Sequence, residues 1–133
     1  MVKLLINFFI IFIWFQSLNS EEIYGIPKII DGDTVHIESK KIRLEGIDAP
    51  EMKQQCQKTY LQISTIVGFN FKKNYSCGVT SKKRLIDKIN KSQINCIASG
   101  QDRYKRYLAT CYKDKINLNK WMVRNGLAVA YKR

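Results

Sequence analysis

Three short segments of the chain carry residue types that could act on a phosphodiester. They are, in chain order, Asp31-Gly32-Asp33-Thr34, the run from Arg43 to Glu51, and Asp102-Arg103-Tyr104-Lys105-Arg106. Together they set carboxylates beside arginines in a chain of formal net charge +12. Carboxylate oxygens suit hard cations, and the planar fork of arginine fits phosphate oxygens. The segments therefore predict a site that holds a hard cation and a phosphodiester, which we interpret as that of a metal-dependent nuclease.

The acids of the first two segments are expected to lie at the ends of strands. The predicted strands are Tyr24–Ile30, Thr34–Glu38 and Lys41–Ile47. They are short, rich in β-branched residues and separated by turn residues. Alternation puts Asp33 on the apolar face of its strand, while Asp48 and Glu51 share a turn stiffened by Pro50. For any one of these acids alone, ordinary turn formation is the alternative.

The remainder of the chain predicts a mainly-β domain with two helices. Residues 57–76 are ambiguous, either a loop or an excursion from the core. The other predicted elements are a helix from Thr80 or Ser81 to about Asn90 with the apolar stripe Leu85, Ile86 and Ile89, a hairpin of Gln93–Ile97 and Arg106–Tyr112 around a turn at residues 99–102, and a helix from Asn117 to Asn125 closed by Gly126. Such an order indicates a compact α+β barrel-type fold.

Four cysteines, Cys56, Cys77, Cys96 and Cys111, predict two disulfides. An even number in a small exported chain is typical of disulfides, and four cysteines allow three pairings. The predicted hairpin would set Cys96 opposite Cys111, within the Cα separation of about 5.5–6 Å that a disulfide needs. Cys56 would then pair with Cys77. A zinc site is the alternative, although the chain has no Cys-x-x-Cys and its one histidine, His36, is distant in sequence.

The N-terminus predicts export. A lysine precedes residues 4–15, an almost entirely apolar run, and residues 16–20 are mostly polar. A basic lead, an apolar run of about 7–15 residues and a polar exit are typical of a secretory signal. A membrane span would need about 20 apolar residues. We therefore predict a signal peptide over residues 1–20 and one domain over residues 21–133, in the periplasm or outside the cell, with an uncleaved anchor as the alternative.

The three segments, in this order and together with Asn117–Tyr131, resemble the staphylococcal nuclease, or thermonuclease, family. The likeness covers roughly residues 23–133 and is nearest to an exported bacterial subgroup with a cysteine shortly after the Pro-Glu pair, here Cys56. It implies an α+β, mainly β fold: a five-stranded OB-type barrel with short packed helices. Family members normally continue into a further helix beyond the position of Arg133. We therefore expect that helix to be absent and the domain to be less stable for it.

The resemblance implies a calcium site and an acid that acts on water. Asp33 and Asp48 match the family's calcium-binding carboxylates, and Ala49 matches the residue that offers its backbone carbonyl. Calcium accepts such oxygen ligands at about 2.3–2.6 Å. Glu51 matches the acid that orients or deprotonates the attacking water.

The resemblance also implies the groups that contact the substrate. Arg43 and Arg106 match the two arginines on the scissile phosphate, where a permanent, planar charge fits better than lysine. Tyr104 matches a tyrosine near the substrate phosphate, and Tyr131 matches one near the base. For both tyrosines, packing against the barrel is the alternative.

The function that the resemblance implies is calcium-dependent hydrolysis of DNA and RNA. Single-stranded or denatured substrates are favoured, and the products carry 3′-phosphate ends. The basic charge agrees with a polyanionic partner, although it would also suit an anionic membrane surface. We expect a monomer without stable membrane association after signal cleavage. The alternatives are a catalytically inactive, truncated nucleic-acid-binding OB-fold protein and a membrane-held interaction module.

Overall fold

The computed structural model of the protein describes residues 20–63 and 69–132. Its strands are β1 (Glu21–Gly25), β2 (Lys28–Ile29), β3 (Thr34–Ile37), β4 (Lys40–Leu44), β5 (Ile47–Asp48), β6 (Gln55–Ile63), β7 (Phe69–Ser76), β8 (Ile94–Gln101), β9 (Tyr107–Lys113), β10 (Ile116–Asn117) and β11 (Val129–Ala130), and its helices are α1 (Cys77–Ile89) and α2 (Leu118–Arg124). The predicted signal peptide lies outside the described residues, apart from Ser20. Across the described ranges, no helix is both long and apolar enough to cross a membrane.

The main sheet is a curled half-barrel with the strand order β1-β8-β9-β4-β3-β2, and β10 pairs with β9. Only the β4–β9 pair is parallel among the pairs of this sheet that the structure describes. β1 and β2 lie at opposite ends of the order although only Ile26 and Pro27 separate them in the chain. Pro27 has no N–H to offer a ladder, which is consistent with the break between the two strands. The predicted mainly-β class with helices is confirmed. The count of five strands is not confirmed, because this sheet contains seven strand segments.

Alternation along the strands places the core on the inner face of the sheet. Val35 and Ile37 of β3 and Ile42 and Leu44 of β4 are all buried, whereas Lys41 is exposed. As predicted, the side chain of Asp33 lies on the buried side of its strand end. A carboxylate is thus held at the edge of an apolar core, where it requires partners.

Helix α1 covers this core with side chains spaced four residues apart. Ser81, Leu85 and Ile89 are all buried. Ile86, which the sequence placed on the same stripe, is 44% exposed. The reason is geometric, because each helical residue is turned by about 100° from the one before it.

The start of α1 was predicted too late. The helix begins at Cys77 rather than at Thr80 or Ser81, and no side chain caps it. Instead of capping, the Thr80 hydroxyl donates a hydrogen bond of 2.9 Å to the carbonyl of Ser76, within the first turn. The second helix follows the prediction more closely. The Asn117 side chain accepts a hydrogen bond from the N–H of Lys120, and α2 begins directly after Asn117, at Leu118.

The second hairpin is longer than predicted. β8 continues to Gln101 through an irregularity between Ala98 and Gly100, so the turn lies over residues 102–106 instead of 99–102. The reason lies in Asp102, whose Oδ1 accepts the N–H groups of Tyr104 and Arg106 and so forms the turn there.

Residues 57–63 and 69–76 belong to an excursion from the core, one of the two possibilities predicted for residues 57–76, whose other residues lie outside the described ranges. β6 and β7 pair with each other as an antiparallel hairpin that is separate from the main sheet. A disulfide between Cys56 and Cys77 joins the base of this hairpin to α1, with a Cα separation of 5.6 Å. A second disulfide joins Cys96 of β8 to Cys111 of β9, directly opposite in register. The predicted pairing is therefore the one present, and it leaves these four thiols unable to form a zinc site.

Candidate active site

Asp33 leaves the turn between β2 and β3 with its carboxylate enclosed. Its backbone N–H donates to Asp31 Oδ1 at 3.1 Å, which shapes the turn. The side chain is 7% exposed. Its Oδ1 accepts from the hydroxyl of Thr34 at 3.0 Å, and its Oδ2 accepts from the N–H of Ala49 at 3.0 Å. The carboxylate is thereby fixed to the segment that carries Asp48.

A single guanidinium joins the two aspartates that the sequence assigned to a metal. Arg43 Nη1 lies 3.0 Å from Asp33 Oδ1, and Arg43 Nη2 lies 2.9 Å from Asp48 Oδ1. Because the two nitrogens belong to one planar group, the two carboxylates approach the same point from different strands. Asp48 is the exposed member of the pair, with 58% of its side chain accessible.

Burial and charge shift the pKa values of Asp33 and Arg43. Removal from water raises the pKa of the Asp33 carboxyl, against the hydrogen bond from the Ala49 N–H and the charge of Arg43. Burial alone would lower the pKa of the Arg43 guanidinium, but the charges of Asp33 and Asp48 raise it. Arg43 therefore stays charged while it compensates a carboxylate that is costly to bury.

Asp48 and Ala49 are held by contacts from distant parts of the chain. Asp48 of β5 pairs with Val129 of β11 in a two-stranded ladder. On the other side, Gly32 approaches so closely that a Cβ there would lie 2.7 Å from the Cβ of Ala49 and 2.9 Å from that of Ser81. The absence of a side chain at Gly32 thus allows the Asp33 turn and the Asp48–Ala49 segment to meet.

Glu51 stands on a tight turn directly after this segment. Its N–H donates to Gln54 Oε1 at 3.2 Å, and the N–H of Gln54 donates to the Glu51 carbonyl at 2.8 Å. The first turn of α1 presses on the same backbone, since a Cβ on Gly78 would lie 1.9 Å from the Glu51 carbonyl oxygen. The backbone of Glu51 is therefore fixed, although Glu51 as a whole is exposed to solvent.

Arg106 has an acidic partner of its own. Its Nε lies 2.8 Å from Asp102 Oδ2, and its Nη2 lies 2.8 Å from the same oxygen. Only 3% of the Asp102 side chain is exposed. Burial alone would raise the pKa of Asp102, but hydrogen bonds from the Arg106 N–H and side chain hold it below its ordinary value. Asp102 thus fixes the direction of the Arg106 guanidinium.

Most of the predicted site residues border one open cleft of about 910 Å³. Six of them line it: Arg43, Asp48, Glu51, Tyr104, Arg106 and Tyr131. Tyr104 and Tyr131 are 63% and 53% exposed. The Tyr104 ring is close to two cations, with the guanidinium carbons of Arg103 at 4.9 Å and Arg106 at 5.5 Å from its centroid. Asp33 lies behind Arg43, and Ala49 lines a neighbouring depression.

The donors around Arg43 fit a hard cation in type. Two carboxylates converge on one positively charged group, and a backbone carbonyl follows at Ala49. Oxygen donors of this kind suit Ca²⁺, which also accepts water to complete its shell. Within residues 20–63 and 69–132, no three His, Cys, Asp or Glu side chains gather closely enough to hold a metal ion. A cation here would therefore rest on two side-chain carboxylates, a carbonyl and water.

Sequence reasoning missed three residues that position the site. Asp102 was part of a quoted segment but had no role, although an aspartate in a turn is typically an acceptor for nearby backbone N–H groups. Gly78 carried no signal. Asn119 is buried, and its amide donates to the carbonyls of Glu45 and Ala109 while its Oδ1 accepts from the N–H of Cys111. That amide joins the end of β4 to β9, next to the cleft.

Comparison with known proteins gives a family match and several similar proteins. The family model described as "Staphylococcal nuclease homologue" matches residues 41–133. The succinoglycan biosynthesis protein ExoI of Rhizobium meliloti is 32% identical over 112 residues, which are 83% of this chain and 53% of that protein. An uncharacterized endonuclease of Haemophilus influenzae is 35% identical over 113 residues, 81% of this chain and 52% of its own length. An uncharacterized endonuclease of Escherichia coli O157:H7 is 32% identical over 130 residues, 93% of this chain and 71% of that protein. The chain thus spans about half the length of the first two relatives.

Proposed function

Because the chain belongs to the staphylococcal nuclease homologue family, we propose that it is a calcium-dependent nuclease that hydrolyses DNA and RNA. The observation that carries the proposal is the cleft in which Arg43, Asp48, Glu51 and Arg106 face a common space. Single-stranded or denatured strands are the favoured substrates, since an open cleft bordered by exposed tyrosines accepts unpaired bases by stacking. The products carry 3′-phosphate ends, as the family resemblance implies.

In this proposal Asp33, Asp48 and the carbonyl of Ala49 hold the Ca²⁺. When bound, the cation supplies Lewis acidity at a phosphate oxygen. The Asp33 carboxylate is the fixed ligand of the three, because it accepts hydrogen bonds from Thr34 and Ala49. Asp48 is the ligand that is open to the substrate, because its exposed carboxylate borders the cleft.

The chain's own side chains carry the remaining work of the reaction. Glu51 orients a water molecule for in-line attack on phosphorus and accepts its proton. Arg43 and Arg106 stabilise the negative charge that builds on the phosphate oxygens and the leaving oxygen. Asp102 is a positioning residue, since its carboxylate directs the Arg106 guanidinium.

The proposal extends to an exported, monomeric domain over residues 21–133 with a signal peptide over residues 1–20. Two disulfides support export, because structural disulfides persist in oxidising compartments. N-terminal sequencing of exported material tests this part. A first residue near Glu21 is expected, whereas retention of residues 1–20 would favour an uncleaved anchor.

The test of the activity is cleavage of denatured DNA by the oxidised protein, with calcium and then with excess chelator. We expect cleavage only with calcium. Glu51→Gln and Arg106→Lys should each lower kcat by roughly 10²-fold or more, the scale of losing one transition-state donor.

Two variants provide matched controls. Glu45→Gln removes a carboxylate in the same cleft, one that accepts from the Ser99 hydroxyl. Arg124→Lys makes the same change as Arg106→Lys at an exposed position of α2. Full activity of both Glu51→Gln and Arg106→Lys would sink the assignment. A folded wild type that binds DNA without cleaving it in calcium would instead favour the inactive binding protein.

A further inference from the structure

One stretch of the chain concentrates positive charge beside the candidate active site. Residues 52–86 contain seven Lys and Arg residues and no Asp or Glu, whereas the whole chain contains 23 basic and 11 acidic residues. This stretch includes the β6–β7 hairpin and the first turns of α1. Such a one-signed block attracts polyanions over distances of about the Debye length.

The pairing of β6 with β7 sets two lysines directly against each other. Lys58 and Lys73 are cross-strand partners, and both are exposed. Directly opposed like charges destabilise an antiparallel pair. Among the ion pairs of residues 20–63 and 69–132, none involves either lysine. An anion placed between the two ammonium groups would turn this repulsion into attraction.

The register also shows which way the two lysines face. Residues two apart on a strand share a face, so Lys58 lies on the face of Cys56, and Lys73 lies on the face of Tyr75. Cys56 and Tyr75 line the depression of about 360 Å³ that also contains Asp48. The lysines thus follow roughly 7 Å further along a surface that starts at the proposed calcium ligands.

The base of the hairpin is fixed to the catalytic turn. β6 begins at Gln55, directly after the turn of Glu51 and Gln54. The disulfide between Cys56 and Cys77 ties it to α1, whose Gly78 touches the Glu51 backbone. The described part of the hairpin is therefore held in place relative to the site.

We propose that the β6–β7 hairpin is a second nucleic-acid-binding surface, with Lys58 and Lys73 as contacts to backbone phosphates. It holds the strand that leaves the cleft past Asp48, while the scissile phosphate lies between Arg43 and Arg106. This inference rests on the proposed nuclease function. It adds that the substrate is a strand long enough to reach the hairpin, rather than a short oligonucleotide.

Nucleic acid fits this surface better than a lipid surface does. The described hairpin residues beside the lysines are polar, namely Gln57 and Asn74, and Tyr75 offers a 37% exposed ring for stacking on a base. A bilayer would require exposed apolar side chains beside the basic ones. Continuity with Asp48 likewise points to the ligand that the cleft takes.

The test measures binding of the oxidised full chain to a fluorescent oligo-dT of about 20 nucleotides, a length beyond the roughly 4–16 nucleotides that one OB fold covers. Excess chelator is present, so the result does not depend on catalysis. For Lys58→Gln/Lys73→Gln, we expect the slope of log K against log salt to fall in magnitude by about 1.4, which is about 0.7 for each lost phosphate contact.

Matched variants separate a local effect from net charge. Lys91→Gln/Lys115→Gln removes the same charge at two exposed positions that border neither the cleft nor the depression, and its slope should stay that of the wild type. Lys58→Arg/Lys73→Arg should also keep the wild-type slope. With calcium, the ratio of KM for an oligonucleotide of about 4 nucleotides to KM for one of about 20 should fall in Lys58→Gln/Lys73→Gln alone.

Three results would overturn the proposal. The first is an unchanged slope in Lys58→Gln/Lys73→Gln, and the second is an equal decrease of the slope in Lys91→Gln/Lys115→Gln. The third is that Lys58→Gln/Lys73→Gln loses binding to phosphatidylglycerol vesicles but keeps its binding to DNA, which would assign the hairpin to membranes. The nuclease assignment fails separately. If the slope changes in Lys58→Gln/Lys73→Gln but the wild type never cleaves, the binding surface is supported and the nuclease assignment fails. If the wild type cleaves but the slope is unchanged, the nuclease assignment is supported and the binding surface fails.

Discussion

Arg43 and Arg106, the two arginines of the cleft that we propose to contact the phosphate, are each held by carboxylates, but in different ways. Arg43 is shared by Asp33 and Asp48, the proposed calcium ligands, so the charge of the metal site and that of Arg43 are coupled. Arg106 is held by Asp102 alone, in its own turn. Its orientation therefore does not depend on the cation. The two guanidiniums can then be tested independently.

At this scale we predict a pH-dependent effect of Asp102→Asn. The folded-state pKa of Asp102 is lowered, so its contribution to the free energy of unfolding is complete above the ordinary aspartate pKa of about 3.9 and is lost as pH falls through the lowered value. Urea unfolding should show the wild type more stable than Asp102→Asn at pH 7. The difference should shrink below about pH 3.9. The kcat of the variant should also fall, because Arg106 loses its orienting anion.

The control for this prediction is Asp87→Asn, which removes the carboxylate of an exposed pair with Lys83 on α1. It should leave kcat unchanged and change stability little, since exposed helical pairs contribute about 0.3–0.5 kcal/mol. A stability difference for Asp102→Asn that stays constant from neutral to acid pH would contradict the role of its ionised form.

The residues of the candidate site could be predicted from the sequence, but their hydrogen-bond and ion-pair partners could not. Asp33, Arg43 and Asp48 stand in recognisable segments, and alternation correctly placed Asp33 on the buried side. That Arg43 bridges both aspartates depends on the pairing of β3 with β4 and on the direction of one side chain. No local pattern records such a contact, because it joins segments only after folding.

Among the elements, the first turn of α1 packs directly against the backbone of Glu51, the proposed catalytic acid. Gly78 lies against the backbone of Glu51 with no room for a methyl group. The helix can approach so closely only because residue 78 has no Cβ. A helix that usually serves to cover the core therefore also determines where the Glu51 turn lies.

We predict that Gly78→Ala lowers kcat while the nucleic acid is still bound. A Cβ at this position would lie 1.9 Å from the Glu51 carbonyl oxygen, so the turn or the helix must move. Overpacking of this kind costs about 1–3 kcal/mol of stability. Steady-state kinetics and urea unfolding measure the two effects.

Gly100→Ala is the matched control, because a Cβ there would have no atom within 4 Å. It should retain the kcat of the wild type. Equal activity of the two variants would mean that the Glu51 turn adapts without loss, and that α1 does not position it.

Prediction of elements succeeded where the pattern is local and failed where partners are distant. The Asn117 cap, α2 and the buried strands follow from capping and alternation. The start of α1 does not, because the helix follows directly after β7 and begins at the disulfide-bonded Cys77, without a capping side chain. The turn of the second hairpin was misplaced because Asp102 accepts two backbone N–H groups there.

For the whole molecule, the two disulfides stabilise different parts. Cys96 and Cys111 are fully buried in the main sheet. Cys56 and Cys77 join the outlying hairpin to α1, next to the turn that contains Glu51. One bridge therefore supports the core, and the other supports the periphery of the site.

We predict that removing the bridges has distinguishable results. Cys96→Ala/Cys111→Ala should lower the free energy of unfolding by about 3 kcal/mol, the typical value for a loop of this length. Cys56→Ala/Cys77→Ala should reduce kcat and DNA binding more than it reduces the melting temperature of the main sheet. Circular dichroism melts and cleavage assays on both variants measure this. Equal losses of stability and of activity in the two variants would show that no such division exists.

The pairing of Asp48 with Val129 has a consequence for the order of events during synthesis. β11 follows β5 by about 80 residues, which a ribosome adds in about 4–16 seconds at roughly 5–20 residues per second. Throughout that interval a nascent chain contains Arg43, Asp48 and Glu51 but lacks the strand that aligns Asp48. The candidate catalytic centre is thus incomplete until β11 has been made, so a nascent chain that stops before Val129 cannot assemble it beside the messenger that encodes it.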